Sequence, residues 1–132
     1  MEKFYSMKEV SEITGLSYDT LKYYSNEGLI PDVKRDKNNY RIFDEKNIGW
    51  IKSLSCLKKC GMSNKEIKVY MKLCKKGISS ISERKEILDK KLNELEKEID
   101  RIRESIDYIN FKKQFYDDVL SGKKEYFSYL IR

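Results

Sequence analysis

The sequence contains no histidine at all, one proline, one tryptophan and three cysteines in 132 residues. Without histidine the chain lacks the side chain that most often serves as a general base near neutral pH, and the one that most often binds metals. Its carboxylates fall where helical patterning puts solvent, so no enzyme activity is expected. The cysteines, Cys56, Cys60 and Cys74, are odd in number and follow no export signal, which argues for free thiols over a disulfide framework. Cys56 and Cys60 stand at i and i+4 and face one way, but two thiols make an incomplete metal site; no metal and no cofactor are expected. No stretch approaches the ~20 consecutive apolar residues of a membrane helix, and MEKFYSMKEV lacks the apolar core of a signal peptide. These absences predict a cytoplasmic protein that does not engage membranes.

Charge is plentiful, at 38% of residues, and unevenly placed. Residues 1–80 hold 16 Lys and Arg against 10 Asp and Glu, whereas residues 81–132 hold 12 of each, so the whole excess of +6 lies in the first part. A phosphate-binding module joined to an uncharged association element has this distribution. A lysine-rich solvated surface has it too, so charge alone leaves both open.

Local punctuation divides the first part. Ser6 with Glu9 forms a capping box, and Val10 and Ile13 then share a face of a short helix that ends before Gly15. Ser17 opens a second helix, YDTLKYYSNE, which Gly28 ends and Pro31 keeps from resuming. Two short helices with a glycine in the turn fit a helix-turn-helix, and also an ordinary helical hairpin. The segment VKRDKNNYRIF then places Asp-Lys-Asn-Asn between Val33 and Tyr40, Ile42 and Phe43, which predicts a basic β-hairpin, a wing. Asp44 caps a third helix through Ile48, Ile51, Leu54 and Leu57 to Gly61, and Ser63 with Glu66 opens a fourth through Ile67, Tyr70, Met71 and Cys74 to Gly77. The third and fourth are expected to pack as an antiparallel pair.

Beyond Ser80 the pattern changes. Ile81, Leu88, Leu92, Leu95, Ile99, Ile102, Ile106 and Ile109 recur at heptad spacing, interrupted only at Lys85, and no Gly or Pro occurs from Ile78 to Ser121. A helix of up to about 60 Å is permitted at 1.5 Å per residue. Its one-sided seam needs a partner helix, most economically the same helix of a second copy. The chain closes with Phe111, Phe115, Tyr116, Tyr126, Phe127 and Tyr129 around Gly122, which can cap the helix end or line a ligand site.

The blocks SMKEVSEITGLSYDTLKYYSNEGLIP, NNYRIFDE and IGWIKSLSCLKKCGMSNKEIKVY, in this order and spacing, resemble the MerR family of regulators over essentially the whole chain. The resemblance implies a mainly α fold: a winged helix-turn-helix DNA-binding domain at 1–77, with helices at about 7–14, 18–27, 45–60 and 64–75 and a wing at about 33–43. It further implies a long helix at 78–120 that forms an antiparallel dimeric coiled coil, and a short effector or capping segment at 121–132. The function implied is a homodimeric, sequence-specific transcriptional regulator. Such a dimer sits on double-stranded promoter DNA with an overlong spacer and distorts it on effector binding so that RNA polymerase can engage, deformation energy being offset by added contacts. The alternative is an excisionase-like or architectural DNA-bending protein without an effector.

By position, Ser17, Tyr18, Thr20, Lys22 and Tyr23 fall on the recognition helix, Tyr24 and Lys58 at backbone clamps, and Tyr40 and Arg41 on the wing. Tyr24 reads equally as a core aromatic; Trp50, Leu21 and Ile30 read as core. The dimer interface is expected at Leu88, Leu92, Leu95, Ile99, Ile102, Ile106 and Ile109. Two departures stand out. The family usually has Arg where Lys22 stands, and Lys lacks the bidentate fork to guanine; Asn39 replaces the glycine before the wing Tyr-Arg and still tolerates a left-handed turn. Metal-sensing members carry cysteines around the dimerising helix, whereas no Cys or His follows Cys74 here. Cys56, five residues before Gly61, is similar to a subgroup responsive to aldehydes, other electrophiles or drugs, and RKEILDKKLNELEKEI through FKKQFYDDVL resembles the same subgroup. Cys56, Phe115, Tyr116 and Tyr126 are therefore the candidate small-molecule effector residues, with Cys56 as a small buried apolar residue the competing reading.

Overall fold

A computed structural model describes residues 2–131; residues 1 and 132, the outer ends of the expected first and last segments, lie outside the described residues. The chain forms two compact units, Met1–Lys91 and Leu92–Arg132. The first opens with a two-residue strand, β1 (Tyr5–Ser6), and helix α1 (Met7–Thr14). Ser6 ends the strand and caps the helix. Its Oγ accepts from the Glu9 N–H at 3.1 Å, and its own N–H donates to Glu9 Oε1 at 3.0 Å. Gly15 takes the left-handed conformation, φ 74°, that turns the chain into α2 (Tyr18–Asn26).

The wing comprises β2 (Lys34–Arg35) and β3 (Arg41–Phe43), and β3 is the centre of a three-stranded antiparallel sheet in the order β1-β3-β2. Tyr5 pairs with Phe43, and Lys34 with Ile42. The expected hairpin is therefore one strand short of the sheet, because β1 directly precedes α1, where the sequence pattern predicts only the helix cap. Val33 falls outside the strands. At the tip, Asp36 Oδ1 accepts from the N–H groups of Asn38 and Tyr40 at 2.9 and 3.0 Å, and Asn39 adopts φ 66°, as its replacement of glycine requires.

Helix α3 (Glu45–Lys59) is capped by Asp44, and α4 (Asn64–Lys75) by Ser63 with Glu66. The backbones of α1 and α2, of α1 and α3, and of α4 and the turn that follows it approach closely, and α3 and α4 both pack on one core through Ile51, Leu54 and Ile67. The core gathers Val10, Leu21, Leu29, Phe43, Ile51, Leu54 and Ile67, all fully buried. Each such side chain stabilises the head by roughly 1.5–3 kcal/mol relative to exposure. Trp50 lies partly buried against this core and donates its indole N–H to the Leu29 carbonyl at 2.7 Å. Buried Asn47 completes the α3 cap with Asp44 and also donates to the Pro31 carbonyl at 2.9 Å, which fixes the chain entering the wing.

A 3-10 turn, Gly77–Ser80, precedes α5 (Ile81–Leu120), so the long helix starts at 81 and not at 78. Gly77 at φ 71° breaks the helical ladder. Ser80 Oγ bonds the Leu73 and Gly77 carbonyls, and the Arg84 guanidinium donates to Gly77 O at 2.6 Å. The head also extends past the expected limit at 77. Ile87 packs against its core, and Lys91 pairs with Glu66 at 3.5 Å.

Along α5 no residue is buried. Leu88, Leu92, Ile99, Ile102, Ile106 and Ile109 stay between 42% and 57% exposed, and Leu95 is half-buried. Within the second unit, the N–H groups of Lys123 and Lys124 close the end of α5 on the Asp118 carbonyl at 2.8 and 3.2 Å. The tail then brings Tyr126, Phe127 and Tyr129 beside Phe111, Phe115 and Tyr116 around a cavity of about 400 Å³. Among the described residues no helix is long and apolar enough to cross a membrane.

Candidate nucleic-acid interface

Helix α2 and the wing flank an open cleft of about 380 Å³. Tyr18 and Lys22 line it from α2, Arg35, Tyr40 and Arg41 from the wing, and Lys8 from α1. Four cations meet one carboxylate there, that of Asp36, which already accepts the two N–H groups of the wing tip. The balance suits an anionic ligand. The wing is held to α2 by Arg41, whose Nη2 donates to Asn26 Oδ1 at 2.6 Å, and it is braced internally by Arg35, whose Nη1 donates to the Asn39 carbonyl at 2.8 Å.

The residues expected on the recognition helix divide by role. Ser17 is the N-cap: its Oγ accepts from the Thr20 N–H at 3.1 Å and donates to Thr20 Oγ1 at 2.8 Å, so the Ser17 proton is spent within the helix. Thr20 keeps its own hydroxyl proton. Tyr18, Lys22, Tyr23 and Tyr40 are exposed. Tyr24 is 7% exposed and belongs to the core, and burial raises its pKa above the usual phenol value. Of the two readings of Tyr24, the core reading describes its position. The wing is where the sequence expected it, but Lys8 and Arg35 were missed as cleft residues. Arg35 stood visibly in VKRDKNNYR; Lys8 had no signal, since only the fold brings the first turn of α1 to the wing.

On the far side of α2, Tyr23 and Lys58 converge on a residue the sequence did not single out. Asn64 donates from Nδ2 to the Tyr23 hydroxyl at 2.8 Å and accepts from Lys58 Nζ at 2.7 Å. Cys56 is exposed on α3, contrary to the reading of it as a small buried residue, while Cys60 and Cys74 are half-buried. Phe115 is half-buried, and Tyr116 and Tyr126 are exposed beside the tail cavity.

A helix-turn-helix with a basic wing over its second helix defines the winged DNA-binding domains of transcriptional regulators. The MerR HTH family regulatory protein model matches residues 5–74, and the chain belongs to that family. It is 33% identical over 112 residues to an HTH-type transcriptional regulator of Haemophilus influenzae, covering 85% of this chain and 83% of that one. With the regulator AdhR of Bacillus subtilis it shares 36% identity over 83 residues, 63% of this chain and 59% of that one. Among solved structures it resembles HiNmlR, a MerR family regulator lacking the sensor domain, bound to promoter DNA. That match has a TM-score of 0.68 and 31% identity over 90% of this chain and 94% of the other. A MerR family transcriptional regulator from Listeria monocytogenes superposes with a TM-score of 0.73 at 33% identity, covering 89% of each chain. The chain is a DNA-binding transcriptional regulator of the MerR family.

Proposed function

We propose that the chain binds promoter duplexes as a homodimer, each copy placing α2 in a major groove while its wing lies along the backbone. The observation that carries this is the four-cation cleft between α2 and the wing, whose two walls the Arg41–Asn26 hydrogen bond joins. Thr20, Lys22 and Tyr18 are the groups in reach of base edges and phosphates; Tyr23, Tyr40, Arg41 and Lys58 serve the backbone. Ser17 positions the helix, and Tyr24 supports it from the core. Binding of HiNmlR to promoter DNA, at 31% identity over most of both chains, supports the duplex as ligand.

The second copy is called for by α5. Its apolar residues recur at heptad spacing on a helix with no buried residue, and pairing the seam antiparallel with its equivalent would cover Leu88 through Ile109. Bound to an overlong promoter spacer, the dimer distorts the duplex so that RNA polymerase engages both promoter elements. An effector switches that distortion: an electrophile at exposed Cys56, or a small apolar molecule between Phe115, Tyr116 and Tyr126. One observation favours a second reading, a DNA-bending protein with no effector: the chain aligns with 94% of a regulator described as lacking the sensor domain.

Footprinting on genomic fragments from the source organism, followed by transcription in vitro with and without an electrophile, tests both. One palindromic site between promoter elements and a change in transcript level support the regulator. Several scattered sites with no response support the second reading, and loss of all salt-dependent duplex binding overturns both.

A further inference from the structure

Three helices meet at one amide. Asn64, the first residue of α4, joins Tyr23 of α2 to Lys58 of α3. The chemistry of the three groups fixes the direction of every bond. An ammonium has three N–H donors and no lone pair, so the amide oxygen must face Lys58 and the amide NH₂ must face Tyr23. The Tyr23 oxygen therefore receives a proton from Asn64, and its own O–H meets no acceptor among the described residues. Lys58 keeps two N–H bonds after serving Asn64. The cluster therefore leaves the Tyr23 O–H and two Lys58 N–H bonds as free donors, with one positive charge among them.

The terminus of α4 is not what attracts the anion, since Glu66 already occupies that capping box with Ser63, its carboxylate held below the ordinary value mainly by the Ser63 N–H. Tyr23 is 46% exposed, so its hydroxyl is reachable, whereas Asn64 and Lys58 are half-buried and their geometry is held. A ligand matched to this set has acceptor oxygens only and a negative charge, as a phosphodiester has.

We propose that Asn64 is a positioning residue for DNA binding: it sets the Tyr23 hydroxyl as a donor and the Lys58 ammonium as a charge toward one and the same backbone phosphate of the duplex. The inference rests on the duplex-binding reading above and adds to it a coupling between two contacts. Removing Asn64 lets the Tyr23 hydroxyl rotate and Lys58 move, so both contacts weaken together.

The test measures binding of the full-length chain to its footprinted duplex over a range of salt. Asn64→Ala is expected to weaken binding about tenfold, the scale of a hydrogen bond to a charged group, and to lower the salt slope by about one. Tyr23→Phe is expected to cost about the same, and the double variant little more than either single one. Asn64→Asp keeps a good helix-starting residue, but its carboxylate accepts the Tyr23 proton and faces the phosphate, so it should bind more weakly than Asn64→Ala. Additive losses in the double variant, or an unchanged affinity and slope in Asn64→Ala while the wild type binds, overturn this inference alone. A wild type that ignores the duplex overturns the reading beneath it as well. Inorganic phosphate should compete no better than chloride at equal ionic strength; displacement of the duplex by low millimolar phosphate would mark a free-anion site and overturn the proposal.

Discussion

Arg41 on the wing and Asn26 at the end of α2, fifteen residues apart, share a 2.6 Å hydrogen bond on the rim of the basic cleft. The guanidinium is planar, so the bond to Asn26 also orients its remaining N–H donors. Arg41→Ala is expected to weaken duplex binding at least tenfold and to leave association unchanged. Arg41→Lys should recover only part, because one ammonium cannot hold Asn26 and a phosphate in a fixed fork. Fluorescence anisotropy with sedimentation velocity separates the two effects; loss of association in Arg41→Ala would show that the wing does more than contact DNA.

Leu95 and Ile99 sit mid-seam, where a charge would have to be buried if two copies pair. Leu95→Asp or Ile99→Asp should yield monomers, since burying an unpaired carboxylate costs several kcal/mol. Operator affinity should fall with association, because two half-sites are then no longer bound as one ligand. A monomer that footprints the operator at full affinity would refute the paired arrangement.

Asn47 both completes the α3 capping box with Asp44 and secures the loop entering the wing. Asn47→Ala strands the Pro31 carbonyl and the Asp44 N–H, and is expected to destabilise the head by about 2 kcal/mol. Urea unfolding should register it as a lower midpoint at constant slope.

Glu9 and Glu66 carry pKa values lowered chiefly by the N–H of their capping partners, Ser6 and Ser63. A depressed folded-state value means that the stability is present above the ordinary glutamate pKa and is lost as pH falls through the folded one. The acid limb of a melting-temperature profile should therefore slope upward with pH below the ordinary value. Glu66→Gln should flatten part of that limb by lowering the melting temperature at neutral pH toward its acid value; an unaltered limb would remove Glu66 from the account.

Thiol exposure predicts an order of labelling. Iodoacetamide on the folded chain should modify exposed Cys56 before half-buried Cys60 and Cys74, read by peptide mass spectrometry. Equal labelling of all three would contradict the placement of Cys56 on the outer face of α3.

What the sequence disclosed follows the range of the interactions involved. Ser6 with Glu9 and Ser63 with Glu66 lie three residues apart, so their capping boxes could be read from the letters alone. Strand β1 could not, because two residues carry no periodicity and its partner Phe43 is far along the chain. The sequence puts the start of the long helix at 78 because no Gly or Pro follows Gly77 until Gly122, whereas the Ser80 and Arg84 bonds impose a tighter turn first. Tyr23 and Lys58 were found as separate candidates. Asn64, which makes them one unit, carries no motif, and its two bonds exist only after α2, α3 and α4 are folded together.

The half-exposed seam of α5 also bears on how such a protein is held in the cell. If a second copy covers this surface, as proposed above, folding free energy depends on protomer concentration, and each tenfold dilution removes about 1.4 kcal/mol of association free energy. Freshly made or scarce chains then present an apolar stripe to proteases and chaperones, and abundant ones do not. Abundance and survival would reinforce one another, so that expression of the regulator behaves less like a dial than like a threshold.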